Sequence, residues 1–271
     1  MKRYFSCLLV LFLSILTSEG LMAQKANPPS DFDYDLNKKG TGVIIQGYKG
    51  EATDVIIPSS IEDFPVVGVD RLAFCRSNIV SVVIPDSVTD IYYFAFCKCE
   101  YLQKVTLPKK LRYIDYNCFA HCSSLKEIAL PEGLKEIKSS SFCKSGLESI
   151  TIPDSVLLID DATFSGCKNL KTVTIGNGVQ AIGGNAFSDC SALTTVTIGN
   201  GIKGILEDAF KGCSSLTSFN IGVEKIDSGK SFYIDDHCYY SGYAESVFSG
   251  CSSLSLKERK KIRDTGYEGS F

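Results

Sequence analysis

One phrase of about 23 residues returns through most of this chain and limits it to a single kind of architecture. Residues 166–179 read GCKNLKTVTIGNGV and residues 189–202 read DCSALTTVTIGNGI, with the apolar letters held and the polar ones exchanged. Pro58, Pro85, Pro108, Pro131 and Pro153 each follow an aliphatic residue, and Gly176, Gly199 and Gly222 take over that place. The steps between them are 27, 23, 23, 22, 23, 23 and 23 residues. Aligned on these positions the chain reads L-x-x-V-x-I-P-x-x-V-x-x-I-x-x-x-A-F-x-x-C. A fixed period of this size belongs to a solenoid, in which each unit is one coil.

Each apolar place in the phrase forms a column. One is Leu102, Leu125, Leu147, Leu170, Leu193 and Leu216; another is Ile91, Ile114, Ile137, Ile159, Ile182 and Ile205. A third is aromatic: Phe74, Phe96, Phe119, Phe142, Phe164, Phe187, Phe210 and Phe248. A 23-residue coil cannot bury such a set alone, but stacked coils cover one another's apolar edges. The phenylalanines are expected to form a continuous interior stack.

The L-x-x-V-x-I part ends in apolar–polar alternation with β-branched residues, as in VTI at 173–175 and 196–198, which predicts a short strand. Successive strands would pair in parallel about 4.8 Å apart, so eight coils make a rod roughly 40 Å long. Pro or Gly ends each strand and turns the chain. The remaining half-coil is too short for a full helix, and turns with single helical turns are expected there.

The ends depart from the repeat. Lys2 and Arg3 precede an apolar run, CLLVLFLSIL, and then small and polar residues, the form of a secretory signal peptide over residues 1–23. Cleavage after Ala23 is expected, with Gly20 the competing site, and the run is too short for a comfortable membrane span. Cys7 lies within the run rather than after it, which argues against a lipid-anchored start. Residues 24–57 are expected to form capping strands, 58–255 seven to eight coils with a Tyr-rich insertion at 229–247, and 256–271 a helical cap. Terminal units must hide one apolar face, so atypical ends suit a solenoid.

The phrase IPDSV at 84–88 and 152–156, with AF and C at fixed distances after it, resembles the BspA-type leucine-rich-repeat surface protein family. So does the lead-in from FDYDL through GTGVIIQGYKGEATDVIIPSSIEDFPVVGV. The resemblance covers about residues 31–255. It implies a leucine-rich-repeat solenoid of about 23-residue repeats, with short parallel strands on one face and turns on the other. It also implies attachment to host matrix proteins and co-aggregation, the activities associated with that family in Gram-negative anaerobes.

Nothing in the chain calls for catalysis or a cofactor. Net charge is −3 and no basic block stands out, which argues against a nucleic-acid partner. No G-x-S-x-G, H-E-x-x-H or P-loop is present, and the glycines near Ile182 read as turn residues. Zinc is unsupported at CFAHC (118–122) and DDHC (235–238), since no second Cys pair has structural spacing. Asp31, Asp33 and Asp35 alternate like a calcium loop, but Leu36 and Gly42 stand where Gly and Glu are needed. An edge strand is expected there.

Cysteine invites a disulfide framework in an exported chain. However, Cys99, Cys122, Cys167, Cys190, Cys213 and Cys251 all lie three residues after a repeat Phe. That column is expected to be buried thiols, because stacked parallel side chains strain the dihedral a disulfide needs. Cys75 and Cys97 form a second column and, with Cys238, are the exceptions to watch.

Two surfaces remain as candidate partner sites. The outward strand positions build a ladder: Lys104/Thr106, Glu127/Ala129, Ser149/Thr151, Thr172/Thr174, Thr195/Thr197 and Ser218/Asn220. It is either an extended binding face or simply Thr suited to exposed strands. The insertion gathers Phe232, Tyr233, Tyr239, Tyr240 and Tyr243, which either contact a protein or glycan or pack the solenoid's end. The basic stretch at 257–263 reads as the wet face of the closing helix. The functional expectation is an exported, non-enzymatic protein of the cell surface or medium, adhesin-like, that binds an extracellular or host-matrix protein. A glycan-binding module and a passive spacer are the alternatives.

Overall fold

The computed structural model describes residues 25–226, 228–234 and 237–271, so the signal peptide expected over residues 1–23 lies outside the described residues. Parallel strands stack coil on coil along two faces. On the first face Asp54–Ile56, Ser81–Val83 and Lys104–Thr106 form one sheet, and Ser149–Ile152, Thr172–Ile175, Thr195–Ile198 and Ser218–Ile221 form another. The ladder therefore starts at Asp54, within the stretch expected to cap. On the second face two-residue strands pair in the order Tyr113–Ile114, Glu136–Ile137, Leu158–Ile159, Ala181–Ile182, Gly204–Ile205 and Gly242–Tyr243.

The third side carries no helical turn among the described residues. Two positions per coil, two residues before and two after the repeat Phe, have positive φ: Phe94 and Lys98, Asn117 and His121, Ser140 and Lys144. A left-handed residue twice per coil breaks any right-handed helical run, which is why turns appear where single helical turns were expected. Inter-coil bonds hold these residues in place: Phe94 N–H donates to the Tyr116 carbonyl, Lys98 N–H to Ala120, and His121 N–H to Cys143 (2.8 to 2.9 Å). Gly166, Gly212 and Gly250 fill the second of the two positions in later coils.

The phenylalanine column is the core. Rings from Phe74 to Phe248 follow one another at 4.9 to 5.8 Å between centroids, with planes within 16° of parallel. Tyr48 and Phe32 extend the stack by one ring each at the N-terminal end. Phe32 lies in the edge strand Phe32–Leu36, which pairs antiparallel with Val43–Tyr48. Beside the rings, each cysteine of the main column donates its thiol to the Phe carbonyl of the coil below. The bonds run from Cys99 to Phe74 (2.9 Å) through to Cys251 and Phe210 (3.1 Å).

At the C-terminal end the last strand would expose an unpaired edge. Helix Leu256–Asp264, N-capped by Ser255, supplies side chains in place of another strand. Glu258 accepts from the Phe219 N–H (2.9 Å), and Lys261 donates to the Phe219 carbonyl (3.2 Å) and to Asn220 Oδ1 (2.7 Å). Tyr267 and Phe271 close over Phe248, and Tyr243 bonds Thr265.

Candidate binding faces

The strand face is built by the alternation of each V-x-I segment, which sends the aliphatic side chains inward and the polar ones out. Thr172, Thr174, Thr197 and Thr151 are exposed, and Thr195 is half-buried. Register keeps them in rows: Ser149 beside Thr172 beside Thr195 beside Ser218, and Thr151 beside Thr174 beside Thr197 beside Asn220. The C-terminal helix half-covers Ser218 and Asn220. This second sheet is a hydroxyl-bearing surface without a formal charge on those eight positions.

The ladder expected through Glu127 and Ala129 is interrupted. Residues 127–130 form no strand, and among the described residues none of their backbone groups enters a hydrogen bond. The segment reads EIAL where two later coils read TVTI, and Glu and Ala are weak strand formers. The next coil is also one residue short between Phe142 and Leu147. Gly146 permits that shortening, because a Cβ there would lie 2.1 Å from the Ser123 carbonyl oxygen. The inward column loosens at the gap: Val105, Leu107 and Ile128 are 7 to 9% exposed, against 1% for Val173 and 0% for Val196.

A groove of about 670 Å³ lies at this interruption. Three successive coils line it: residues 104–107, residues 127–130 with Glu132, and residues 149–151 with Pro153. Lys104, Thr106, Glu127 and Thr151 are thus brought together, while Thr172, Thr174, Thr195 and Thr197 lie on the unbroken sheet beyond.

The tyrosines sit elsewhere. Ser231–Ile234 and His237–Tyr240 form an antiparallel hairpin that leaves the coil and lies over the second face. Phe232, Ile234 and Tyr239 turn inward onto Leu157, Leu158 and Ala181. The outward column of that face tapers from Leu158 through Ala181 to Gly204, which makes room for the hairpin. A Cβ on Gly204 would meet the Tyr240 carbonyl oxygen at 2.8 Å. Burial, and then Asp160 and Glu136, push the Tyr239 phenol up to about 12. Tyr243 rejoins the solenoid and packs against Phe248 and Tyr267. Tyr233 and Tyr240 point away, 66% and 67% exposed. Of the four tyrosines singled out in the sequence, two are therefore packing residues and two are surface.

The cysteines divide in the same way. Those of the main column are buried, and burial pushes the Cys99 and Cys251 thiols up to about 12. Cys118 and Cys143, which the main column does not contain, belong to neighbouring columns, and Cys143 aligns with Cys75 and Cys97 one residue after the Phe. Cys238 is exposed on the hairpin. His121 occupies a left-handed turn position, its imidazole pKa lowered by burial and then by Lys144 and Lys98. Among the described residues no group of three or more metal-ligating side chains converges.

Known proteins place this geometry in a family. The BspA type leucine rich repeat region matches residues 48–170 and 135–255, in six copies. A leucine-rich-repeat protein from T. pallidum is 30% identical, covering 91% of this chain and 99% of its own, with a TM-score of 0.67. One from Bacteroides ovatus is 22% identical over 83% of this chain and 80% of its own, with a TM-score of 0.47. No curated protein matches. With its repeat matched from residue 48 to residue 255, the chain belongs to the BspA-type leucine-rich-repeat family.

Proposed function

We propose that this chain is an exported, non-enzymatic scaffold that binds an extracellular or host-matrix protein through its strand face, as an adhesin does. The supporting observation is the pair of in-register hydroxyl rows on the unbroken sheet. Short hydroxyl side chains at strand spacing lose little entropy when a partner docks and offer a donor and acceptor at each step. Affinity would come from many small contacts on a stiff support. The basic n-region and apolar run at residues 1–23 support export.

The test is binding of residues 24–271 to matched panels of matrix proteins and polysaccharides. Thr172→Arg with Thr195→Arg blocks the sheet, and Tyr233→Ala with Tyr240→Ala strips the hairpin. Saturable protein binding lost only in the first variant supports the proposal. A second reading, a glycan-binding module, draws on the outward pair Tyr233 and Tyr240. Sugar binding lost only in the hairpin variant would favour it, and silence on both panels would leave a spacer.

A further inference from the structure

We infer that the turn side of the rod carries a second binding site, a row of cations that takes a linear anionic polysaccharide bearing sulfate or carboxylate groups. This goes beyond the protein-binding role proposed for the strand face and uses a different side of each coil.

The row is made by stacking. Arg76, Lys98, His121 and Lys144 follow one another at steps of 22, 23 and 23 residues, so no basic block appears in the sequence. Each takes the second left-handed position of its coil, with φ between 55° and 62°. The backbone holds them in register: Arg76 N–H donates to the Cys97 carbonyl, Lys98 N–H to Ala120 and His121 N–H to Cys143. Arg76, Lys98 and Lys144 are exposed, and His121 is half-buried. Among the described residues none of the four forms an ion pair. Like charges one coil apart repel, and left-handed backbone disfavours a residue that carries a Cβ. Glycine meets neither cost and stands at this position in three later coils, as Gly166, Gly212 and Gly250. Four consecutive cationic or ionisable side chains there, none neutralised within the fold, point to a charge supplied from outside.

A cleft lies at each end of the row. One of about 420 Å³ is lined by Arg76, Ser77, Asn78, Lys98, Glu100 and Tyr101. The other, of about 800 Å³, has Lys144, Lys168, Asp189, Ser123 and Ser165 in its wall. The charged residues of the two clefts sum to two positive charges, on a chain whose net charge is −3. Tyr101 is 59% exposed and offers a ring on which a sugar can stack, and the serines and Asn78 can bond sugar hydroxyls. Spacing favours a glycan over an acidic peptide. An extended peptide returns a side chain to one face about every 6.8 Å, out of step with coils about 4.8 Å apart. A pyranose ring covers about the rise of one coil, so successive anionic groups can meet successive cations. Lys98 and Glu100 of the preceding coil and Lys144 of the next surround His121. Burial, then Lys144 and Lys98, lower its imidazole pKa, and Glu100 raises it. A polyanion laid along the row relieves that repulsion and favours the imidazolium, so binding takes up a proton and tightens as pH falls.

The experiment uses residues 24–271 and calorimetric titration with a heparin-derived octasaccharide, beside a neutral dextran oligosaccharide and an oligoglutamate peptide. The heparin fragment should bind saturably, and its affinity should fall with salt at a log–log slope of roughly two to three. No saturable binding, or equally strong binding of either comparison, would overturn the inference. Lys98→Gln with Lys144→Gln should weaken binding about tenfold or more and lower the slope by about one for each cation removed. Lys257→Gln with Lys260→Gln takes the same charge from the C-terminal helix and should leave binding unchanged. Equal losses in the two variants would mean attraction to cations at large, and the row would fall. A footprint on the parent chain needs no substitution: the bound fragment should shield Lys98 and Lys144 from acetylation, read by mass spectrometry, and leave Lys257 open. The reverse pattern would put the ligand on the helix and sink the proposal. Affinity should rise from about pH 7.5 to about pH 5.5 in the parent chain and stay level in His121→Gln. A rise that persists in His121→Gln would take the imidazole out of the site.

Discussion

Cys99, Cys122, Cys167, Cys190, Cys213 and Cys251 each fill interior volume and satisfy a carbonyl of the coil below, and burial protects thiol rather than thiolate at Cys99, Cys122, Cys213 and Cys251. Iodoacetamide on the native chain should label Cys238 first and leave these six untouched until guanidinium is added, as mass spectrometry can read. The same burial makes the fold sensitive to alkali. Cys99 and Cys251 keep their protons to about 12 when folded, against an ordinary value of 9.0 when unfolded. The folded form binds more protons in that window, so stability is full below pH 9.0 and falls as pH rises toward 12. Each thiol contributes up to about 1.4 kcal/mol per pH unit. The melting temperature should drop between about pH 8 and pH 10.5, and drop less in Cys99→Ser with Cys251→Ser. Among the glycines, Gly178 is held by close approach rather than by φ: a methyl there would lie 1.8 Å from the Asp154 carbonyl oxygen. Gly178→Ala should cost about 3 kcal/mol or more in a urea titration. Gly133→Ala, at the same repeat position but with its nearest atom 3.7 Å away, should be close to neutral.

Individual elements are held very unequally. The hairpin of Ser231–Ile234 and His237–Tyr240 rests on a small cluster of its own, around Leu158, Ala181 and Ile234, outside the phenylalanine core. Its amides should therefore exchange well before those of Thr172–Ile175, and limited proteolysis should cut it while the coils survive. Simultaneous exchange of both would show that hairpin and core open as one unit. The strand-and-turn alternation was legible from period alone, because an apolar residue, one spacer and an aliphatic residue followed by Pro or Gly recur in every coil. The interruption at 127–130 was not, although its signal is present: EIAL carries one β-branched residue where TVTI carries four. A column count registers apolar letters and ignores strand propensity, so Ile128 and Leu130 concealed Glu127 and Ala129. The hairpin's seat was likewise written in Leu158, Ala181 and Gly204, a taper that has meaning only once the coils are stacked. Tyr48 joins the aromatic stack from 26 residues before Phe74, three more than the period, which is why a column aligned on the period begins at Phe74.

For the whole molecule, the ends decide whether a stack of identical layers stays single. Helix Leu256–Asp264 occupies the Phe219 edge with Glu258 and Lys261, while Tyr267 and Phe271 cover Phe248. A chain shortened to residue 255 should expose that edge and those rings and associate in a concentration-dependent way in sedimentation velocity. A strict monomer would mean that the edge is protected by other means. The interruption on the strand face also has a mechanical consequence. A stack drawn out along its axis carries the same tension through every layer, and the layer with the fewest cross-links yields first. Between Thr106 and Ser149 the strand face adds no ladder bonds, and the load passes through the ring stack, the turn-side bonds and the second-face pairs of Tyr113–Ile114, Glu136–Ile137 and Leu158–Ile159, so this layer is compliant on one side only.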